Sequence, residues 1–203
     1  MKTLLYIFLF TLSFYKISSQ TLKNCGYDDL MQKKWNADPK IKEAHLKRLK
    51  ESSTYSKIAS APAYTIPVVF HILHQGGPEN ISDAQILDAI AILNRDFRKL
   101  NADTISILVP FQAADVNFEF RLATKDTSGN CTTGIVRHYT SLTNWEIVSI
   151  NYMYTWDPTK YLNFYVVKSI PGFFYAGAYA HSPGISAPSE DVIVVNHPGV
   201  GSI

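Results

Sequence analysis

The run Tyr64-Thr65-Ile66-Pro67-Val68-Val69-Phe70-His71-Ile72-Leu73 constrains the fold more than any other stretch. It is β-branched and aromatic, and apolar at odd and even positions alike. A strand of that composition is buried on both faces, with partners on its edges and packed layers above and below. The next segment supplies one layer. Ile81-Ser82-Asp83-Ala84-Gln85-Ile86 reads as a capping box, with Ser82 at the N-cap, Gln85 at N3, and Ile81 and Ile86 as the hydrophobic staple. Ile86, Ile90, Leu93, Phe97 and Leu100 share one helical face, so the helix lies along a sheet. Asp83 in the first turn and Arg98-Lys99 in the last suit the macrodipole.

Further strands follow. Val116 to Leu122 alternates strictly, as a half-buried strand does. Tyr161 to Val167 and Asp191 to Asn196 are apolar strands, and Gly177-Ala178-Tyr179-Ala180-His181 is a short strand of mostly small residues. Asp126 to Asn130 and Asp157 to Thr159 are turns, and Trp145 to Tyr154 suits a short helix. Strand, helix, strand, helix and three strands describe an α/β layered sheet with crossover helices. A chain of 203 residues has room for one such domain and some extra sequence.

The extra sequence is N-terminal. Met1-Lys2, an apolar run from Leu4 to Tyr15, and Lys16-Ile17-Ser18-Ser19-Gln20 have the layout of a secretory signal peptide, with cleavage expected near Ser19. The run of about a dozen residues is short for a membrane span, which takes about 20. Removing residues 1–19 leaves 17 basic and 17 acidic residues, a net charge of zero. With no basic stripe interleaved with aromatics, nucleic-acid binding is excluded. Residues 20–63 differ from the remainder. Lys23 to Lys57 holds nine Lys/Arg and five Asp/Glu, whereas residues 60–203 hold eight and twelve. Asp38-Pro39 looks like an N-cap with Pro at N1, and Ile41, His45 and Leu49 give a thin apolar stripe. A basic prefix on an acidic body suggests a detachable segment that docks on that body. At the other end, a strand running into His197-Pro198-Gly199-Val200-Gly201-Ser202-Ile203 is expected to lead into a further helix.

No H-E-x-x-H, phosphate-binding loop, G-x-S-x-G or paired C-x-x-C is present. His71 and His74, three apart in a strand, point to opposite faces and cannot chelate one metal together. His181 and His197, both at strand ends, are a conceivable zinc pair. In a secreted chain Cys25 and Cys131 by default form one disulfide. The sharper alternative is a Cys25 thiolate held on a metal by the prefix, with Asp28 offering an oxygen ligand to the same end. Asn80-Ile81-Ser82 and Asn130-Cys131-Thr132 are formal glycosylation sequons.

Ile66 to Ile72, Asn80 to Ile86, Leu93-Asn94-Arg95-Asp96-Phe97-Arg98-Lys99-Leu100-Asn101-Ala102-Asp103, Ala114 to Ala123 and Thr133 to Arg137 form an ordered series of segments. Trp156 to Asn163, Gly177 to Ala180 and Asp191 to Asn196 continue it. Together these segments resemble the pappalysin (cytophagalysin) family of metzincin zinc endopeptidases. The resemblance spans residues 64–203. It implies a twisted five-stranded mixed sheet with one antiparallel edge strand and backing helices. Signal peptide 1–19 and prosegment 20–63 come first, and 64–203 is the N-terminal part of a catalytic domain. It also implies that a polypeptide substrate pairs with the edge strand at Gly177, Ala178, Tyr179, Ala180 and His181.

The family's zinc motif, H-E-x-x-H-x-x-G-x-x-H, lies on the helix after the last strand. No catalytic residue or certain zinc ligand therefore falls within this chain, and the 203 residues alone are expected to be inactive. Zinc is the implied cofactor, with calcium left open. The implied latency ligand is Cys25, with Asp28 the runner-up. The alternatives to a secreted protease precursor are a secreted non-catalytic binding module on a degenerate fold, or another secreted hydrolase or adhesion domain.

Overall fold

The computed structural model describes residues 26–53, 64–106, 114–145, 152–170, 177–181 and 187–203. Helices α1 (Gly26–Ala37) and α2 (Pro39–Ser53) precede the sheet. Asp38 caps α2 as its sequence suggests, accepting the Lys40 N–H at 2.9 Å. Strand β1 (Tyr64–His74) then leads to helix α3 (Asp83–Phe97). Strands β2 (Phe118–Leu122), β3 (Ile135–Tyr139), β4 (Leu162–Val167), β5 (Ala178–Ala180) and β6 (Val192–Asn196) complete one sheet. The described part of the expected helix at 145–154 is limited to its ends, because residues 146–151 lie outside the described set.

The sheet is six-stranded, in the order β2-β1-β4-β6-β5, with β3 also on β1. All pairs are parallel except β5–β6. Five positions across the sheet thus hold six strands, because β2 and β3 run end to end along one edge of β1. Tyr64–Val68 pairs with β2, and Phe70–His74 pairs with β3. Residues 123–134 leave and rejoin that edge at a tight neck, where Ala123 N–H donates to Val68 O and Phe70 N–H donates to Gly134 O, both at 2.8 Å. Gly134 has φ +73°, and a Cβ there would sit 2.7 Å from the Ala123 nitrogen. Only glycine closes this neck without strain. Pro67 precedes the start of β4 pairing at Val68, so its missing N–H costs no bond on that side.

The period-two pattern sorts side chains between two cores. Val68, Phe70, Ile72, Val166 and Val195 face α3, which contributes Ile86, Ile90 and Leu93. Phe70 stacks on Phe164 at 4.9 Å between centroids. The opposite face carries Leu73, Tyr165, Val167, Val192 and Val194 against Trp145, Tyr152 and Ile170. α3 ends at Phe97, so Leu100 falls outside the helix and is 73% exposed rather than on its buried face.

Half of the capping box forms. Ser82 Oγ accepts the Gln85 N–H at 3.2 Å. The Gln85 side chain instead donates from Nε2 to Val200 O at 2.8 Å and His197 O at 3.4 Å. Asp88 Oδ2 accepts the Ser202 hydroxyl at 2.8 Å. The first turns of α3 thereby hold the segment after β6. Gly201, at φ +71°, passes so close that a Cβ would meet Gln85 O at 2.7 Å.

Ile86 is fully buried where α3 meets the sheet. Truncation to Ala leaves a cavity that a strand-backed site cannot collapse. The expected loss is about 2–5 kcal/mol in urea unfolding of Ile86→Ala, with an unchanged denaturant slope.

Candidate functional site

Two polar clusters stand on the face away from α3. The first is at the centre of the sheet. His71 on β1 is fully buried, between β3 and β4. Asn163 Nδ2 donates to Trp156 O at 3.0 Å and Tyr161 O at 3.2 Å, while its Oδ1 accepts the Trp156 N–H at 2.8 Å. That orientation leaves Oδ1 to accept from His71 Nε2 at 3.1 Å. His71 Nδ1 is then an acceptor, and His138 Nε2 donates to it at 3.3 Å. Both rings are neutral in this chain of bonds. His138 also stacks on Tyr154 at 3.7 Å. Burial, opposed by the Asn163 bond, pushes the His71 imidazole down to about 4. Burial and the neighbouring His74 do the same to His138, also to about 4. These histidines aim at one another and stitch three strands together, which is a structural role.

The consequence for stability has a definite sign. Both folded-state values lie below the ordinary 6.5, so the unfolded chain binds more protons between the two. This contribution is complete above about pH 6.5 and is lost as pH falls towards about 4. Urea midpoints measured across that window are expected to fall with acid, and to fall less steeply in His71→Phe.

The second cluster surrounds β5, the last strand of the sheet. β5 pairs antiparallel with β6, Ala178 opposite Val195 and Ala180 opposite Ile193. Asn196 N–H donates to Gly177 O at 2.7 Å. Ala178 and Ala180 are exposed and short, so another extended backbone can approach this edge closely. The residues expected to form an edge strand, Gly177 to His181, are therefore brought together as that edge.

Tyr179 points inward, towards a network of neutral hydroxyls. Its oxygen accepts the Trp145 indole N–H and lies 3.2 Å from the Tyr152 hydroxyl. Burial raises both phenols above their ordinary range. Trp145 and Tyr152 meet edge to face at 5.2 Å.

His181 ends the strand, 7% exposed. Its Nδ1 lies 3.1 Å from Lys34 Nζ, which donates to it, and 3.5 Å from Glu190 Oε2. Lys34 Nζ is also 3.5 Å from Glu190 Oε2. Burial and the Lys34 charge push the His181 imidazole down, against the pull of Glu190. His181 thus engages a helix N-terminal to the sheet. Among the described residues, no group of three or more His, Cys, Asp or Glu could hold a metal ion, so the His181–His197 zinc pair acquires no further ligand there. The described donors do not fit zinc.

Cys25 lies outside the described residues, and Asp28 falls within α1, one turn and a half before Lys34. Cys131 is an exposed free thiol, which corrects the default expectation of a Cys25–Cys131 bridge. It sits on the 123–134 excursion, bridged to Lys125. Lys34 and Glu190 had no sequence signal, since the contact joins residues 156 positions apart.

No protein-family model and no curated protein matches the chain. Solved structures do. Mature mirolysin of Tannerella forsythia, in complex with a cleaved peptide, is 33% identical with a TM-score of 0.62, over 70% of this chain and 56% of that one. The chain is similar to mirolysin. A mutant of Tannerella forsythia promirolysin is 29% identical with a TM-score of 0.71, over 84% of this chain and 58% of that one. The mostly parallel sheet with one antiparallel pair is the mirolysin fold. The chain spans a little over half the length of these mirolysin chains.

The hydroxyl network predicts that β5 is held from behind. Tyr179→Phe removes the acceptor for the Trp145 indole and leaves it buried and unpaired. A loss of about 1–3 kcal/mol in unfolding free energy is expected, with a larger loss for Tyr179→Ala.

Proposed function

We propose that the chain is the N-terminal part of a secreted zinc metalloendopeptidase precursor of the pappalysin type. The observation that carries this reading is the antiparallel edge strand β5, set on a sheet shared with a mirolysin that was captured with a cleaved peptide. A polypeptide substrate adds to the outer edge of Gly177–His181 as a further strand, through main-chain hydrogen bonds. The zinc ion and the acid–base group belong to sequence beyond Ile203. Overlap with little more than half of each mirolysin chain supports that assignment. Zinc would supply a polarised water for peptide hydrolysis.

Residues 1–19 direct secretion and residues 20–63 form the prosegment. Similarity to promirolysin covers 84% of the chain, against 70% for the mature form, a gain about the size of α1 and α2 together. Cys25 is the preferred latency ligand and Asp28 the runner-up. Zymogen carrying Cys25→Ala is then expected to mature sooner, read by the time course of prosegment loss on gels; an unchanged time course transfers the role to Asp28 or another group.

The decisive experiment is to read the coding sequence past Ile203 and express the whole product. An H-E-x-x-H motif and casein hydrolysis that a chelator stops and zinc restores are expected. A stop codon directly after Ile203, with a product that binds peptides and cleaves none, would favour a secreted non-catalytic binding module.

A further inference from the structure

Among the described side chains of the two N-terminal helices, Met31 is the buried apolar one. On α2, Ile41 and His45 of the anticipated stripe are half-buried, His45 against Trp35 of α1, while Leu49 and the neighbouring Leu46 are 53% and 52% exposed. On α1, Met31 is buried, and Lys34 lies one turn further along the same face. Lys34 then reaches the end of β5. Its ammonium contacts His181 Nδ1 at 3.1 Å and Glu190 Oε2 at 3.5 Å. The side chains of Lys34 and Glu190 are only 24% and 26% exposed, and that of His181 is 3% exposed. An ammonium so placed is shielded from screening far better than a surface pair. The next residue, Asp191, feels the positive charge of Arg48 on α2. Cations from both helices therefore converge on the acidic pair Glu190-Asp191, in keeping with a basic prefix on an acidic body.

We propose that Glu190 and His181 form an ammonium-binding notch at the end of edge strand β5, and that Lys34 fills it as the latch holding α1 and α2 on the body. The proposal rests on reading residues 20–63 as a prosegment, and it adds the contact that retains them. The latch is defined by Lys34, His181 and Glu190, and its test does not depend on which group is placed on a metal. Its position gives it a second consequence. A helix held beside His181 stands at one end of the edge that a peptide would use, so release of Lys34 and opening of that end are one event.

The test uses the full chain and reads backbone amide exchange in α1 by mass spectrometry, with α3 and β1 as internal controls. Lys34→Met and Glu190→Gln are each expected to speed exchange in α1 by about tenfold, the loss of one charge-assisted contact, without change in α3. The exchanged pair Lys34→Glu with Glu190→Lys is expected to restore slow exchange. Unchanged α1 exchange in Lys34→Met overturns the proposal. So does a double variant as loose as the single ones, since packing and not charge would then hold the helix. Should Glu190→Gln fail to fold, Lys34→Met decides alone. The readout needs no catalysis. A product without protease activity would refute the enzyme reading and leave the latch to be judged by exchange.

Discussion

Backbone pairing of β1 on both edges is the constraint on which the rest of the structure depends. One strand takes β4 along one side and β2 and β3 in succession along the other. From Val68 to Leu73 this strand is buried on both side-chain faces, which is why that stretch is apolar in both registers. Shifting its register by one residue would exchange the two cores and turn His71 into the apolar face against α3. The His71–Asn163 bond therefore acts as a polar key that fits only one register.

Order spreads outward from β1 to the edge. β4 carries β6, and β6 carries β5 at the sheet boundary. The aromatic core behind the sheet ends in the Trp145, Tyr152 and Tyr179 network, so the last strand is anchored by hydrogen bonds as well as by its pairing. Exposed alanines face outward on an edge that is held rigidly from within. That combination suits reception of an extended peptide better than a loop would, because the receiving backbone is already ordered. The N-terminal helices meet this same end of the sheet through charge, a contact that is strong when made and costs little core to break.

The fold was legible where local chemistry and packing agreed. The β1 run, the Ser82 cap, the alternation at 116–122 and the apolar strand at 191–196 each announce their own structure. The periodicity of Ile-Val-Arg-His-Tyr did not announce β3, because its burial is uneven and its pairing partner lies on β1. α1 was equally silent, since its apolar residues, among them Leu30, Met31 and Trp35, are few and set among charged and amide side chains. Gln85 behaved as a cap by position only. Its side chain found better acceptors in His197 and Val200, carbonyls more than one hundred positions away that local spacing cannot anticipate.

The site divides in the same way. The small-residue strand at Gly177–His181 could be read as a close-approach edge, because alanine and glycine have consequences wherever they stand. The partner of His181 could not. Lys34, His181 and Glu190 meet through a path that crosses the whole domain, and charge attraction has no period along a chain. By itself the sequence determined the elements whose identity rests on local periodicity: a doubly buried strand, a capped amphipathic helix and an alternating half-buried strand. Only the tertiary structure decided which strand stood last in the sheet, which histidines faced each other and which lysine reached His181. Those outcomes depend on distances between residues far apart in the chain, and the distances exist only once β1 has its neighbours.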